Sequence, residues 1–365
     1  MIVEGPIKPV NSITDNEIRA ALDAMEREPL SGYLAGRERG GYHVRALEDA
    51  WCETFKVKHA IAANSATSGL LAAAFAVERK TRFAVPAMTM SATAAAPMFT
   101  GAKPFFCDVE DETFGLTGGL PHDASIFVTN LFGHPARLHD LRRHCDEHGT
   151  VLIEDNAQSP FAMEYGKYSG TIGHIGVNSF NVHKPLQCGE GGMITTDYAA
   201  FAGHIRKFIN HGENNIGNIS LNLRMPEVCA AIALTQLRRG REIVGGRIEQ
   251  AEAIIAAIGD IPGLRPPIIR DGCLHVYYTI PFLVEKNRTE FCAALREEGV
   301  PIVEGYVPPL YRMPAFQQFA RPCPVAEDLH DRRLLYIENC AWDFTPEQIR
   351  QVGEAFKRAA EQWLT

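Results

Sequence analysis

An α/β fold with a largely parallel sheet is predicted by the order of segments along the chain. Up to about residue 240, short apolar runs alternate with stretches of helical spacing, and such runs are typical of strands buried on both faces. The predicted strands are 59–63, 83–86, 104–109, 125–130, 150–154, 175–180 and 193–196. The helices that separate many of them are predicted at 68–77, 91–99, 137–148 and 198–209.

Two helices are predicted before the first strand. Residues 14–17 (TDNE) have the pattern of a capping box, which marks a helix N-terminus. Apolar residues then recur at helical spacing. In the first helix these are Ile18, Ala21, Leu22 and Met25, and in the second they are Val44, Leu47, Trp51 and Phe55.

The pattern changes near residue 240. Residues 242–258 predict one long helix, and 275–283 alternate like a half-buried strand. Further helices are predicted at 288–298 and 346–362. The chain is therefore predicted to have an N-terminal segment and large domain over 1–240 and a small α+β domain over 241–365.

Composition excludes several classes of partner. The 365 residues are 46% hydrophobic and 22% charged, which is typical of a globular protein with a sizeable core. The net charge is -8 and no basic cluster stands out, so neither a nucleic-acid partner nor an anionic membrane surface is predicted.

Cysteine usage and the N-terminus predict a cytoplasmic location. The nine cysteines are scattered without a CxxC pair, which indicates reduced thiols and not a disulfide frame or a zinc site. Neither a signal-peptide apolar region nor a run of 18 apolar residues is present. His183, His204 and His211 lack metal-ligand spacing, so no metal is predicted.

The main catalytic candidate is Lys184. It lies in residues 179–192 (SFNVHKPLQCGEGG), and Asp155 comes about thirty residues earlier in 153–158 (IEDNAQ). Pyridoxal phosphate requires a lysine for its Schiff base, an acid for its pyridinium nitrogen and donors for its phosphate. Asp155 follows an apolar strand, where ligands of doubly wound sheets bind, although an Asp there can equally cap the next turn.

A phosphate site is predicted at residues 64–69 (NSATSG). This segment follows the first predicted strand and opens a helix of small residues, and amides at a helix N-terminus bind phosphate well. An ordinary N-cap by Ser65 or Thr67 is the alternative.

Taken together, these segments resemble the DegT/DnrJ/EryC1/StrS family of pyridoxal phosphate-dependent sugar aminotransferases. The resemblance runs from about residue 30 to 350. It rests on the order and spacing of several short segments. They are 64–67 (NSAT), 153–158, 179–192, 210–212 (NHG), 222–225 (NLRM) and 324–327 (PVAE).

The resemblance implies a role for each matched residue. Lys184 would bind the cofactor covalently, Asp155 would pair with the pyridine nitrogen, and Gln158 would contact the ring hydroxyl. The phosphate would be bound by Ala66, Thr67 and Ser179. Asn222 would reach the phosphate of the neighbouring subunit, and His211 and Arg224 are candidate substrate contacts.

The fold implied is the aspartate-aminotransferase type, fold type I, as a homodimer with shared active sites. The sequence departs from the family at the ring-stacking position, where residues 86–91 (PAMTMS) place Met90 in the usual position of an aromatic residue. Met can pack on an aromatic face through its sulfur. Asn181 and His174 are further departures, at positions where His and an acidic residue are common.

The function implied is amino transfer from an amino acid, glutamate being the usual family donor, to a keto group of a nucleotide-linked sugar. The cofactor would pass through pyridoxamine 5'-phosphate. One alternative is a deoxysugar dehydratase, but such enzymes carry His in place of the Schiff-base lysine. Another is a non-catalytic sensor or regulator of the same fold, which the lack of a DNA-binding domain or a basic face disfavours.

Overall fold

The computed structural model describes residues 2, 12–27, 29–33, 38–77, 82–212 and 219–364. Its α-helices are α1 (Asp15–Arg27), α2 (Tyr42–Phe55), α3 (Ala66–Ala76), α4 (Ser91–Met98), α5 (Leu138–His148), α6 (Ala199–Ile209), α7 (Glu227–Arg238), α8 (Gly240–Ile258), α9 (Arg288–Glu297), α10 (Pro324–Asp328) and α11 (Pro346–Trp363). Short 3₁₀ turns occur at Leu131–Gly133, Leu310–Arg312 and Pro314–Phe319, and a π-helical turn at Leu329–Arg333.

The strands fall into three sheets. In chain order they are β1 (His59–Ala63), β2 (Arg82–Pro86), β3 (Lys103–Cys107), β4 (Ser125–Thr129), β5 (Leu152–Asp155), β6 (Met163–Glu164), β7 (Lys167–Tyr168), β8 (Ile175–Ser179), β9 (Gly192–Thr196), β10 (Leu264–Arg265), β11 (Cys273–Leu274), β12 (Ile280–Val284), β13 (Ile302–Glu304) and β14 (Leu334–Ile337). The predicted strands and helices up to residue 209 are therefore confirmed in their order, with ends displaced by at most two residues, and of the α-helices and strands described in this range only the two-residue strands β6 and β7 were not predicted.

The large sheet has seven strands in the order β1-β9-β8-β5-β4-β2-β3. The pairs from β8 to β3 are parallel, whereas β9 is antiparallel to both β1 and β8. No helix lies between β8 and β9, so the chain turns back directly and the two strands must run in opposite directions. That turn, residues 180–191, carries Lys184.

Apolar strand residues hold the helices on the large sheet. Ile61, Phe83, Phe127, Ile153 and Val177 are all fully buried in one continuous core. Helix α3 packs so closely on the sheet that a Cβ atom at Gly69 would lie 2.8 Å from a Val177 methyl carbon. This close packing fixes the N-terminus of α3 at the sheet edge.

A second, antiparallel sheet forms in the C-terminal part, in the order β10-β12-β14-β13. Its own core includes Phe282, Phe291 and Phe356, contributed by β12, α9 and α11. Helix α11 begins with a capping box formed by Thr345 and Gln348. The helices predicted after residue 240 are therefore confirmed.

The strand predicted at 275–283 is wrong in its first half. The strand β12 begins only at Ile280, because the preceding residues cross to the large sheet. Val276 donates its amide hydrogen to the Gly133 carbonyl (2.9 Å), and Tyr277 has a positive φ of 49°. The alternation of polar and apolar residues at 275–279 thus reflects burial against a loop and not a pleated strand.

Helix α1 begins as predicted, but its apolar stripe does not face the core. The Glu17 carboxylate reaches back to the Thr14 amide (2.7 Å), as in a capping box. Glu17 itself is buried and accepts a hydrogen bond from Arg239 (3.0 Å) beyond the end of α7. Ile18, Leu22 and Met25 are about half exposed, at 51%, 49% and 52%.

Candidate active site

A cavity of about 450 Å³ lies where several strands of the large sheet end. Thr129, Asp155 and Ser179 are the last residues of β4, β5 and β8, and all three line it. Helix N-termini that follow β1 and β2 complete this edge. Ligands of doubly wound sheets bind at this position, outside the carboxyl ends of the strands. The volume suits a cofactor or small substrate.

Most of the residues proposed from the sequence are brought together here. Seven of them line the cavity: Ala66, Thr67, Met90, Asp155, Gln158, Ser179 and Lys184. They come from four separate chain segments, so only the fold places them side by side.

Asp155 is buried and held by hydrogen bonds on both oxygens. Thr93 donates its hydroxyl hydrogen to Oδ2 (2.6 Å), and the Ala157 amide donates to Oδ1 (3.2 Å). Burial raises the pKa of Asp155, while these two bonds and the positive charge of Lys184 act in the opposite direction. A fixed, desolvated carboxylate of this kind stabilises a cationic N–H group placed against it.

A chain of threonines supports this arrangement. The Thr93 hydroxyl lies 2.9 Å from that of Thr89, which in turn lies 2.7 Å from that of Thr129. All three are buried. The chain ties the first turn of α4 to β4, so the Thr93 hydroxyl is oriented before any ligand binds.

Lys184 lies in the same cavity on the turn between β8 and β9. Its Nζ atom is 4.5 Å from the centre of the Tyr278 ring, a cation–π distance. Burial lowers the pKa of Lys184, and the negative charge of Asp155 opposes that shift. A lysine with a lowered pKa can lose its proton near neutral pH and serve as a nucleophile or base.

Backbone and hydroxyl donors gather at the N-terminus of α3. Ser65 is the N-cap and accepts a hydrogen bond from the Ser68 amide (3.1 Å). The first amides of a helix, here those of Ala66 and Thr67, have no intrahelical acceptor. A Cβ atom at Gly192 would lie 2.5 Å from the Ser65 carbonyl oxygen, so glycine is required for β9 to lie this close to the N-terminus of α3. These donors suit a phosphate group.

Gln158 joins the large sheet to the C-terminal part. Its Oε1 atom accepts a hydrogen bond from the Phe132 amide (2.7 Å), and its Nε2 atom donates to the Tyr306 hydroxyl (3.0 Å). The side chain is buried and therefore has one orientation at the cavity wall.

Several cavity residues were not found from the sequence. Thr93 supports Asp155, and Tyr278, Tyr306, Tyr336 and Glu338 form the wall supplied by the C-terminal part. These four lie far along the chain from Lys184, and no spacing pattern connects them with it. The only available signal was Thr89 and Thr93, four residues apart around the predicted N-terminus of a helix.

Three proposed residues lie outside the cavity. Asn222 is exposed and forms a β-bridge with Asn210, and His211 is exposed with a φ of 59°. The Arg224 Nε atom donates to the Asn210 side chain (2.6 Å), and its guanidinium lies 5.6 Å from the centre of the Tyr33 ring. Within the described chain, none of the three lines the site that holds Lys184.

The residues present fit pyridoxal phosphate. The buried Asp155 carboxylate suits a protonated ring nitrogen, the α3 N-terminus with Ser179 suits a phosphate, and Lys184 suits the aldehyde carbon.

Over the residues that the structure describes, no group of three His, Cys, Asp or Glu side chains is arranged to hold a metal ion. In that same part of the chain, no helix combines the length and apolar character needed to cross a bilayer.

Comparison with known proteins agrees with this geometry. Residues 33–357 match the model of the DegT/DnrJ/EryC1/StrS aminotransferase family. The chain is 30% identical to a UDP-N-acetyl-3-dehydro-alpha-D-glucosamine 3-aminotransferase of Acidithiobacillus ferrooxidans, over 80% of this chain and 83% of that protein. It is 29% identical to a UDP-2-acetamido-2-deoxy-3-oxo-D-glucuronate aminotransferase of Pseudomonas aeruginosa, over 79% and 83%.

Among solved structures, the fold is similar to that of DesI, which was crystallised in the presence of its TDP-sugar product. The TM-score is 0.86 at 25% identity, over 98% of this chain and 94% of that one. The fold and site thus define a pyridoxal phosphate-dependent aminotransferase of fold type I. The chain belongs to the DegT/DnrJ/EryC1/StrS aminotransferase family.

Proposed function

We propose that the enzyme transfers an amino group from an amino acid, L-glutamate in the first instance, to a ketone on a nucleotide-linked sugar. The observation that carries this proposal is that Lys184 and Asp155 line one cavity. Tyr278, Tyr306 and Tyr336 line the same cavity and provide apolar surface for a substrate. The named relatives act on UDP-linked keto sugars, which supports the acceptor class.

The site residues act as follows in this proposal. When bound, pyridoxal phosphate supplies an electron sink and carries the amino group between the two substrates. Asp155 would stabilise a positive charge on the ring nitrogen, and the α3 N-terminus with Ser179 would hold the phosphate. The Nζ atom of Lys184 would take up and release the proton of the substrate carbon, for which its lowered pKa is suited.

The presence of Lys184 also distinguishes an aminotransferase from the two alternatives, a dehydratase and a sensor. A dehydratase of this family would carry His at the Schiff-base position. Here Lys184 and its neighbour His183 both line the cavity, but Lys184 is the less exposed of the two and interacts electrostatically with Asp155. A sensor without turnover would not need a lysine whose pKa is lowered beside a buried acid. Both observations support transamination over these alternatives.

An absorbance experiment tests the proposal. The cofactor-loaded protein should lose its aldehyde-form absorbance when L-glutamate is added and regain it with a panel of nucleotide-linked keto sugars. If only the first step occurs with every sugar tested, the acceptor class is wrong. If no amino acid changes the spectrum, the aminotransferase proposal itself fails.

We further propose that the active unit is a homodimer with shared sites. Asn222, His211 and Arg224 lie outside the cavity of their own chain, as residues that serve a neighbour would. The half-exposed stripe of Ile18, Leu22 and Met25 on α1 supports a contact between subunits, because such a stripe favours burial.

Mixing inactive Lys184→Ala and Asn222→Ala chains tests the shared site. One of the two sites in a mixed dimer carries both changes and the other carries neither, so activity should return. Mixed dimers that form but stay inactive would indicate sites built within single chains. Lys184→Ala mixed with Asp155→Asn is the control, since both residues line the cavity of one chain and every site of that mixed dimer then carries one of the two changes.

Two further assignments are proposals of the same kind. A boundary between a large domain (1–240) and a small one (241–365) is supported by the separate core of the C-terminal sheet and by the start of α8 at Gly240. A cytoplasmic location is supported by the cysteines, which are all free thiols. Limited proteolysis and fractionation of the producing cells test these two assignments.

A further inference from the structure

Three carboxylates line the cavity, and they differ in their protein partners. Asp155 accepts hydrogen bonds from Thr93 and Ala157, and Glu190 accepts one from the Asn181 amide group (2.8 Å). Among the described residues, no donor is hydrogen-bonded to the side chain of Glu338. Its carboxylate therefore faces the cavity without a protein donor.

This arrangement has an energetic cost unless a ligand offsets it. Glu338 directly follows β14 and is only partly exposed. Burial raises the pKa of Glu338, and the charges of His183 and Lys184 counteract this only through space. A partly desolvated carboxylate without a donor is destabilising, so such a group in a cavity is a candidate for binding a ligand.

The residues around Glu338 indicate which kind of ligand would donate hydrogen bonds to its carboxylate. Tyr278, Tyr306 and Tyr336 line the same part of the cavity, and the Tyr306 and Tyr336 rings lie edge to face at 6.3 Å. Aromatic faces with few polar groups suit a ring whose C–H bonds pack against them. A carboxylate beside them accepts hydrogen bonds from hydroxyl groups. It also repels a second carboxylate in a site of low dielectric.

We propose that Glu338 is a specificity-determining residue that accepts hydrogen bonds from hydroxyl groups of the acceptor sugar. It selects neutral keto sugars over keto sugars that carry a carboxylate on the ring. This inference rests on the proposed function and narrows its substrate class. It separates this chain from the Pseudomonas relative, whose name gives an oxo-glucuronate substrate.

The two half-reactions provide the test, because only the second involves the sugar. Glu338→Gln and Glu338→Leu should not slow the spectral half-reaction with L-glutamate, because removing a negative charge from the cavity cannot weaken the binding of this dicarboxylate donor. Glu338→Leu should lower kcat/KM for a UDP-linked 3-keto-N-acetylhexosamine by at least about tenfold, the effect of losing a charged hydrogen bond. Glu285→Gln is the matched control, since Glu285 is exposed at the end of β12 and does not line the cavity.

A comparison of acceptors sharpens the test. Wild type should prefer the neutral 3-keto sugar to the matching 3-keto-hexuronate by about tenfold or more, and Glu338→Gln should reduce that preference. An equal slowing of both half-reactions would show a structural role and overturn the proposal. So would unchanged acceptor kinetics, a preference for the hexuronate, or a wild type that reacts with glutamate but with neither sugar. Failure of wild type with glutamate would instead contradict the proposed function.

Discussion

The two halves of the cavity are built differently. In the half that faces the cofactor, side chains are held by protein hydrogen bonds, as Asp155 is by Thr93 and Ser65 is by Ser68. In the half supplied by the C-terminal part, Gln158 binds Tyr306, but no described residue forms a hydrogen bond with the side chain of Tyr278 or Glu338. The first half is therefore suited to the cofactor, which is the same in every turnover. The second half leaves the polar groups of Tyr278 and Glu338 available for a substrate.

Replacing Lys184 should have the largest effect in the cofactor half. Lys184→Ala removes the base that moves the proton, so turnover should fall by about a thousandfold or more. Borohydride reduction of the wild-type holoenzyme and peptide mapping should place the cofactor on Lys184. An adduct on Lys167 or Lys207 would contradict the assignment, and Lys167→Ala should retain activity.

This half could be predicted from the sequence because its residues lie in short contiguous segments. Asp155 ends an apolar strand, and Lys184 lies in the turn that precedes Gly192, so the local pattern made both residues candidates, and the resemblance implied their roles. The antiparallel direction of β9 was not predicted, because strand patterns do not specify direction.

The substrate half could not be predicted in the same way. Tyr278 reaches the cavity because residues 275–279 cross to Gly133, whose φ is 103° and where a Cβ atom would lie 2.7 Å from the Tyr278 amide nitrogen. Glu338 arrives at the end of a strand in a different sheet. Both positions depend on how two sheets pack together, which no local spacing records.

Asp155→Asn should have the next largest effect. An amide does not stabilise a positive ring nitrogen as a carboxylate does, so turnover should fall by roughly 10²–10³-fold. The fold should persist, since the amide oxygen can still accept from the Ala157 amide while the NH2 group donates to the Thr93 hydroxyl oxygen. Circular dichroism and stopped-flow half-reactions measure the two properties. Near-normal turnover in a folded variant would show that Asp155 is only a turn cap.

Thr93→Val tests whether the hydrogen-bonded support of Asp155 matters. The change removes one donor to a buried charged group and keeps the volume of the side chain, so we expect a loss of about tenfold in turnover. The pH profile of the half-reaction should also shift, because the Thr93 bond opposes the rise in the pKa of Asp155. Without that bond the Asp155 carboxylate stays protonated to higher pH. The rate should therefore begin to fall at a higher pH than in wild type when the solution is acidified. A lower activity with an unmoved profile would indicate a merely structural role.

Met90 differs from Asp155 and the other fixed residues of the cofactor half, since it lines the cavity but is 54% exposed. Met90→Phe should tighten cofactor binding by a few-fold, because aromatic stacking contributes on the order of 1 kcal/mol. Reconstitution of the cofactor-free protein, followed by fluorescence, gives the Kd. A Kd that rises tenfold or more would mean that the pocket is shaped for Met.

His134 lies outside the cavity and contacts the segment around Arg270, and its titration should have the smallest effect. Its Nδ1–H donates to the Pro135 carbonyl (2.7 Å), and its Nε2 accepts from the Arg270 amide (3.2 Å). Burial lowers the pKa of His134 from 6.5 to about 4. Between these values the unfolded chain binds a proton that the folded protein does not, so the free energy of unfolding decreases as pH falls.

A glutamine at this position keeps an acceptor for Arg270 but cannot take up the proton. Between pH 7.5 and 5.5, His134→Gln should therefore lose about 1 kcal/mol less stability than wild type in urea unfolding. Glu154 and Asp155, whose pKa values are raised by burial, favour the folded state as pH falls. They do so in both proteins, so the difference between the two curves isolates His134. Parallel curves would show that the folded protein takes up the proton at His134 as readily as the unfolded chain does, which would contradict the lowered pKa of His134.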